Sequence, residues 1–299
     1  MNDAGIFSYE EFLDEVIKKD AIENSIEFYS PIKRYGGKFY IADKIIDLMP
    51  SHYCYVEPFF GAGHVFFKKP KVMVEVINDI DLNIYSFFKV LSEKELFEKF
   101  IERVYLLYAH RKIFEEMVKI KKQGTDDIVE RAVAFFYVCH VGFNATMDTY
   151  SSGKDRSKAS SLNNAKRRLF WARDRLKDVF VECKDWKKVV LQHDDKETLI
   201  YLDPPYVHNT RKSTNNYTHE MDNEQHEELI DTILTLKSKV ILSGYTNEIY
   251  EKLEKYGCQR IDIETTCWSI NTTQFEGKKD TRVESIWINY KPDNLNRLF

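Results

Sequence analysis

Asp203-Pro204-Pro205-Tyr206 is the stretch with most chemistry to offer. It follows the apolar run Thr198–Leu202, which reads as a buried strand. The prolines cannot extend that strand, because each lacks an N–H and fixes φ. Asp203 is thereby held at a strand's C-terminal end, the edge of an open α/β sheet where ligands bind. Its carboxylate and the Pro204 carbonyl are two acceptors, and Tyr206 is a flat aromatic plate. Together they suit an exocyclic amino group on a planar base: the acceptors take its two hydrogens and the ring holds the base. The plainer alternative is a proline turn with Asp203 as a helix cap.

A second constellation is Glu57-Pro58-Phe59-Phe60-Gly61-Ala62-Gly63. A strand over Tyr53–Glu57 precedes it and a helix over His64–Phe67 follows, so it reads as a cofactor cradle at a helix N-terminus. No third glycine follows Gly63, so this is not the dinucleotide fingerprint. Glu57 and Phe59 put an acid and an aromatic in the turn. A pyrophosphate would not favour that acid; a cationic amino-acid moiety would. A next strand, Lys71–Ile77, ends in Asn78-Asp79-Ile80-Asp81. Asp79 is placed for ribose hydroxyls, whereas Asp81 is the better cap for a helix over Leu82–Leu91. A third strand, Val179–Cys183, leads to Asp185-Trp186, an acid and an aromatic that suit a purine. Upstream, in Lys33-Arg34-Tyr35-Gly36-Gly37-Lys38, the glycines admit close backbone approach and Lys38 sets a charge beside it.

Other elements must position these groups. A helix over Tyr40–Leu48 precedes the first strand. Between residues 92 and 178 the βα rhythm breaks into helices over 93–108, 111–122 and 126–140, whose apolar spacing reads as core, His140 included. A polar loop, Gly142–Gly153, carries Asn144 and Thr146, whose side chains can reach base edges. The charge then turns basic through Lys154, Arg156, Lys158, Lys166, Arg167, Arg168, Arg173, Arg175 and Lys177. This patch suits phosphates, although a solvated helix face is an equal reading. Ser161 is a candidate cap for a helix over 162–177. Beyond the opening motif, a polar loop over 207–223 with Arg211 and Lys212 covers the site. A helix over 223–236, a strand over 239–243, a helix over 247–256 and strands near 259–264 and 282–289 complete the chain, the last two closing the sheet antiparallel. Residues 1–30 form an acidic preamble with a helix over 9–19.

Composition bounds the rest. The 299 residues are 43% hydrophobic and 31% charged, enough for a full core, and no apolar run would span a bilayer. The start, Met1-Asn2-Asp3-Ala4-Gly5, lacks a basic end and an apolar signal core. The five cysteines, Cys54, Cys139, Cys183, Cys258 and Cys267, are scattered, which predicts reduced thiols, a cytoplasmic location and no zinc site. At a net charge of −4, any DNA affinity must come from a local patch.

Taken together, the motifs resemble the Dam-like, D12 class of DNA adenine-N6 methyltransferases from about Ile32 to Tyr290. Gly36-Gly37-Lys38 is similar to the family's first motif, Glu57–Gly63 to its cofactor motif, and Asp203-Pro204-Pro205-Tyr206 to its catalytic motif. Tyr217–Asp222 and Ser243-Gly244-Tyr245 are similar as well. The resemblance implies an α/β class I methyltransferase (Rossmann-like) fold, with a mostly parallel sheet and one antiparallel strand. It divides the chain into an N-terminal extension, 1–30, a catalytic domain, 31–91 and 179–299, and a mainly helical target-recognition insertion, 92–178. It implies S-adenosyl-L-methionine as cofactor, double-stranded DNA as partner and no metal. Asp203, Pro204 and Tyr206 become catalytic. Arg34, Tyr35, Lys38, Glu57, Phe59, Gly61, Gly63, Asp79, Asp185 and Asp203 become cofactor residues. Asn144, Arg156, Lys158, Lys166, Arg167, Arg168, Arg211 and Lys212 become DNA contacts. In relatives an aromatic stands where this chain has Arg34, and Tyr35 is one place later, so which of them faces the cofactor stays open. Also open are the recognition sequence, the oligomeric state and any pairing with a restriction endonuclease. Cytosine N4, RNA or a protein amide would use similar amine chemistry, and an idle DNA-binding relative is a further alternative.

Overall fold

The computed structural model describes residues 30–33, 37–143, 148–150, 157–207, 219–266 and 281–292. The expected N-terminal helix and Arg34, Tyr35, Asn144, Thr146, Arg156, Arg211 and Lys212 lie outside them.

In chain order the elements are α1 (Ala42–Asp47), β1 (Cys54–Glu57), α2 (His64–Lys68), β2 (Val74–Asn78), α3 (Leu82–Ser92), α4 (Lys94–Tyr105), α5 (Arg111–Gln123), α6 (Ile128–Val141) and the short pair β3 (Gly142–Phe143) and β4 (Thr149–Tyr150). Then come α7 (Ser157–Arg175), β5 (Val179–Glu182), α8 (Trp186–Gln192), β6 (Thr198–Leu202), α9 (Asn223–Thr235), β7 (Lys239–Gly244), α10 (Glu251–Lys255), β8 (Gln259–Thr266) and β9 (Thr281–Ile288).

Seven strands form one sheet in the order β5-β2-β1-β6-β7-β9-β8. β5, β2, β1, β6 and β7 are parallel, and β9 runs antiparallel to both of its neighbours. This is the expected Rossmann-like sheet with its one antiparallel strand. The apolar runs are continuous because helices cover both faces. All of β6 and all of β1 are buried. Successive residues point to opposite faces: Tyr55, Ile77, Leu199 and Tyr201 enter one apolar cluster, while Val56, Val76, Ile200 and Leu202 enter the other. The strand order turns at β1. The chain moves outward through β2 and β5, then returns to β6 on the other side of β1. Such a switch opens a crevice beyond the strands' C-terminal ends. Val56 pairs with Ile200 there; Glu57 is the last residue of β1, and Asp203 follows the last residue of β6.

Helices from the 92–178 segment join the first cluster. α6 is buried almost all round and packs against α3, α4, α5 and α7. Phe87 of α3 stacks on Phe136 of α6 (5.8 Å, 9°), and Phe100 of α4 meets both edge-on. Each such side chain contributes roughly 1.5–3 kcal/mol on burial. His140 sits in this core as expected, its Nε2 2.9 Å from the Pro31 carbonyl. Two local expectations need correction. α7 begins at Ser157, so Ser161 lies inside the helix and its Oγ accepts from Lys33 Nζ (3.0 Å) rather than capping. The stretch from Asn247 is first a turn, in which Asn247 Oδ1 accepts from the Tyr250 N–H (3.0 Å), and only Glu251–Lys255 is helical.

Candidate active site

A cavity of about 440 Å³ opens at the switch between β1 and β6. Glu57, Phe59, Asp79, Trp186 and Asp203 line it, and Lys38 stands at its wall.

The glycine turn is built by sterics. Gly61 (φ +53°) and Gly63 (φ +65°) adopt the left-handed conformation. A Cβ on Gly63 would meet the Phe60 ring at 2.3 Å, so no side chain fits. Gly63 N donates to Phe60 O (2.7 Å), which closes the turn ahead of α2. Asp79 secures the turn from β2: its Oδ2 accepts from Gly61 N (2.8 Å), and its Oδ1 from Asp81 N (2.9 Å). The sequence leaves Asp79 unengaged, whereas in the structure it already braces this loop. Asp81 caps α3 as expected, accepting from Asn83 N. Asn78, which carries no signal in the sequence, ties three strand tips together. Its Nδ2 donates to Pro58 O (2.9 Å) and Lys184 O (3.0 Å), and its Oδ1 accepts from Lys184 N (2.8 Å).

Glu57 is buried, and Tyr55 OH donates to its Oε2 (2.8 Å). Burial pushes its carboxyl up to about 8. A buried carboxyl that meets a cavity is a natural receptor for a cation, which would restore the charged form. Phe59 and Trp186 are in tilted ring contact (centroids 6.1 Å, 31°) and together give the cavity an aromatic wall. Asp185 lines the cavity too, yet its carboxylate is committed to the N-terminus of α8, accepting from Lys187 N (3.1 Å) and Lys188 N (3.4 Å).

Asp203 is held by a compact polar group. Lys38 Nζ meets Oδ1 at 2.6 Å, and Ser243 Oγ donates to the same oxygen (3.0 Å). Lys38 also pairs with Glu284 (3.1 Å) and donates to Tyr206 OH (2.7 Å). Tyr206 OH in turn donates to Glu284. Burial raises the Asp203 carboxyl above its ordinary range, with Lys38 opposing it. Burial works against charge on Lys38 as well, but Asp203 and Glu284 outweigh it and hold its ammonium well above the ordinary value. Tyr206 is buried against Tyr245 (4.5 Å, 40°) and joins this network through its hydroxyl. Glu284 is a site residue that the sequence does not single out; its only signal is an acid inside the apolar strand β9. Ser243 and Tyr245 belong to the resemblance but carry no role there.

The DNA candidates divide. Arg167 is exposed and Arg168 half-buried. Lys158 lies on α7. Lys166 instead points inward, donating to Leu107 O (2.6 Å) and Tyr105 O (3.3 Å), so its charge is spent inside the fold. Among the described residues no cluster of His, Cys, Asp or Glu could hold a metal ion. None of the described helices is long and apolar enough to cross a membrane.

Comparison with known proteins identifies the family. The family model for the D12 class N6 adenine-specific DNA methyltransferases matches residues 35–266. The chain is 24% identical over 281 residues to the DNA adenine methylase of Escherichia coli (strain K12), covering 87% of this chain and 95% of that one. It is 24% identical over 270 residues to the DNA adenine methylase of Haemophilus influenzae, covering 81% and 91%. A DNA adenine methylase of Vibrio cholerae is 27% identical over 184 residues, covering 59% and 64%. With Lys38, Glu57, Gly61, Gly63 and Asp203 lining one crevice and the family model matched over most of its length, the chain belongs to the D12 class N6 adenine-specific DNA methyltransferases.

Proposed function

We propose that the crevice binds S-adenosyl-L-methionine and a target adenine side by side, with the residue roles that follow. The observation that carries this reading is that Glu57 and Asp203, at adjacent strand tips, line a single cavity. The cavity residues fit the cofactor. Glu57 is a buried acid for its α-ammonium, Phe59 and Trp186 offer an aromatic wall to its adenine, and Asp79 accepts from its ribose. Gly61 and Gly63 keep the floor clear of side chains. Lys38 and Asp185 complete the set in the cavity, and Arg34 or Tyr35 is a further candidate for the cofactor. When bound, the cofactor supplies an electrophilic sulfonium methyl.

The chain's own residues prepare the nucleophile. The adenine N6 lone pair is delocalised into the ring and attacks poorly. Among the described residues, Lys38 and Ser243 both meet Oδ1 of Asp203, which leaves Oδ2 to accept one N6 hydrogen. The Pro204 carbonyl accepts the other. These bonds push electron density back onto nitrogen. As the N–C bond forms, the nitrogen becomes cationic and acidic, and its surplus proton leaves readily; Asp203, with its raised proton affinity, is the nearest acceptor. The Lys38–Glu284–Tyr206 network holds the acceptor in one orientation, which matters because small misplacements are costly.

The adenine must leave the duplex to reach this depth, at a cost of a few kcal/mol. Phosphate contacts offset that cost. Lys158, Arg167, Arg168, Arg156, Arg211 and Lys212 are the candidates, and Asn144 is the candidate for a base edge. The β3–β4 pair supports this assignment, because it brackets residues 144–147 and rests on α5. Tyr150 is gripped by Phe114 (5.5 Å) and by the Arg111 guanidinium (4.8 Å), and Asp148 pairs with Lys122 (2.9 Å).

The test is transfer of labelled methyl from S-adenosyl-L-methionine to unmodified duplex DNA. Asp203→Ala is expected to abolish labelling of adenine while DNA affinity stays within several-fold. Equal loss of transfer and DNA binding would make Asp203 structural and defeat the assignment.

A further inference from the structure

Behind Glu57, on the side away from the cavity, lies a group of charges that the transfer reaction does not use. Lys69 Nζ pairs with Glu75 Oε1 at 2.5 Å, and both side chains are only 1% exposed. Arg175, at the end of α7, forks onto the same carboxylate: Nη1 to Oε2 at 2.5 Å and Nη2 to Oε1 at 2.9 Å. Its Nη2 also donates to Phe66 O (3.1 Å), and its guanidinium covers the Phe66 ring at 3.8 Å. The group therefore contains two cations and one anion. A surplus positive charge buried without compensation is costly. Its direction is set by Tyr55. The Lys69 ammonium lies 4.3 Å from the centre of the Tyr55 ring, and the hydroxyl of that ring donates to Glu57. Tyr55 and Glu57 are two apart on β1, so they share a face, and Tyr55 is in register with Glu75 on β2.

We propose that Lys69, Glu75 and Arg175 are positioning residues that act through Tyr55 on Glu57, setting the pH at which it becomes the carboxylate that receives the cofactor's cation. This rests on the reading of Glu57 as a cofactor residue. Other charges also face Glu57. Tyr201 and Asp203 approach from β6, and Lys38 and His64 line the cavity wall. Burial and Asp203 disfavour the ionised form of Glu57, whereas Tyr55, Lys69 and Arg175 favour it. The triad thus opposes a penalty that the cavity itself imposes.

The experiment is titration of the full chain with S-adenosylhomocysteine, which carries the same amino-acid end, from pH 5.5 to 9. Wild type should show affinity falling on the acid side as Glu57 takes up its proton. Lys69→Met removes one positive charge and should move that acid limb to higher pH by about one pH unit. Arg175→Met should do the same, and either suffices if the other fails to fold. Glu75→Gln leaves both cations and should move the limb to lower pH. Arg175→Lys keeps the charge but loses the fork, so the limb should stay while thermal stability drops. Shifts of opposite sign cannot come from a merely structural defect. Limbs that all stay, or all move one way, overturn the proposal. Glu57→Gln separates the two readings. If it leaves the wild-type profile intact, Glu57 is not a cofactor residue and the proposal falls with that assignment. If it removes the limb while Lys69→Met and Glu75→Gln leave it unmoved, only the role of the triad is lost.

Discussion

At the residue scale, the site works by burying acids that a soluble protein would ordinarily expose. Glu57 holds its proton up to about 8 in the folded chain, against the ordinary carboxylate range when unfolded. Between those values the folded state binds more protons than the unfolded one. Stability therefore falls as pH rises through that window and remains reduced above it. Glu57→Gln removes the effect. Without cofactor, it is expected to be more stable than wild type at pH 8 by a few kcal/mol, at about 1.4 kcal/mol for each pH unit between the two values, and to differ little at pH 5. Melting curves across that range check it, and parallel curves would contradict the burial of an ionisable acid. Asp203 shows why motif reading alone stops short. Its type and its place at a strand tip follow from the proline pair. Its partners do not, because Lys38 and Ser243, and the Glu284 that pairs with Lys38, come from segments far apart in the chain.

At the scale of elements, two local devices are separable by mutation. Both Gly61 and Gly63 need positive φ, which costs an L-residue roughly 1–2 kcal/mol. Space differs: a Cβ on Gly61 meets nothing within 4 Å, whereas one on Gly63 collides with Phe60. Gly63→Ala is therefore expected to lower the urea midpoint clearly more than Gly61→Ala. Similar midpoints would show that the turn can move aside. The basic run on α7 makes the second case. Replacing Arg167 and Arg168 with Gln should flatten the salt dependence of DNA binding, by about 0.9 in slope for each phosphate no longer neutralised. Lys166→Met should leave that slope alone and instead cost roughly 1–3 kcal/mol of stability, because the carbonyls of Leu107 and Tyr105 lose their donor. In sequence these three residues are adjacent and equally basic. Helical geometry turns one of them into the core, which charge counting could not reveal.

At the scale of the molecule, the parallel sheet and the helical 92–178 segment are one packed body on the side of α3 and α6. Asp203 lies in a crevice of that body, and under the proposed mechanism the target base comes to it. A duplex with 2-aminopurine in place of the target adenine is expected to brighten on binding, as that base leaves the stack. Tight binding of the cognate duplex with unchanged emission would mean that the base stays paired.

The order of motifs, the strand–turn–helix rhythm, the acid-bearing glycine turn and the proline-terminated strand are local patterns. Periodicity and backbone stereochemistry write them directly into the chain, so the fold class, the family and the acid at the tip of β6 were legible there. Which groups meet was decided only by tertiary structure. The strand order put Glu57 beside Asp203, β9 delivered Glu284 to Lys38, and the roll of α7 sent Lys166 and Arg175 inward. Pairings of that kind join residues far apart in the chain, and a linear pattern carries no record of the distance between them.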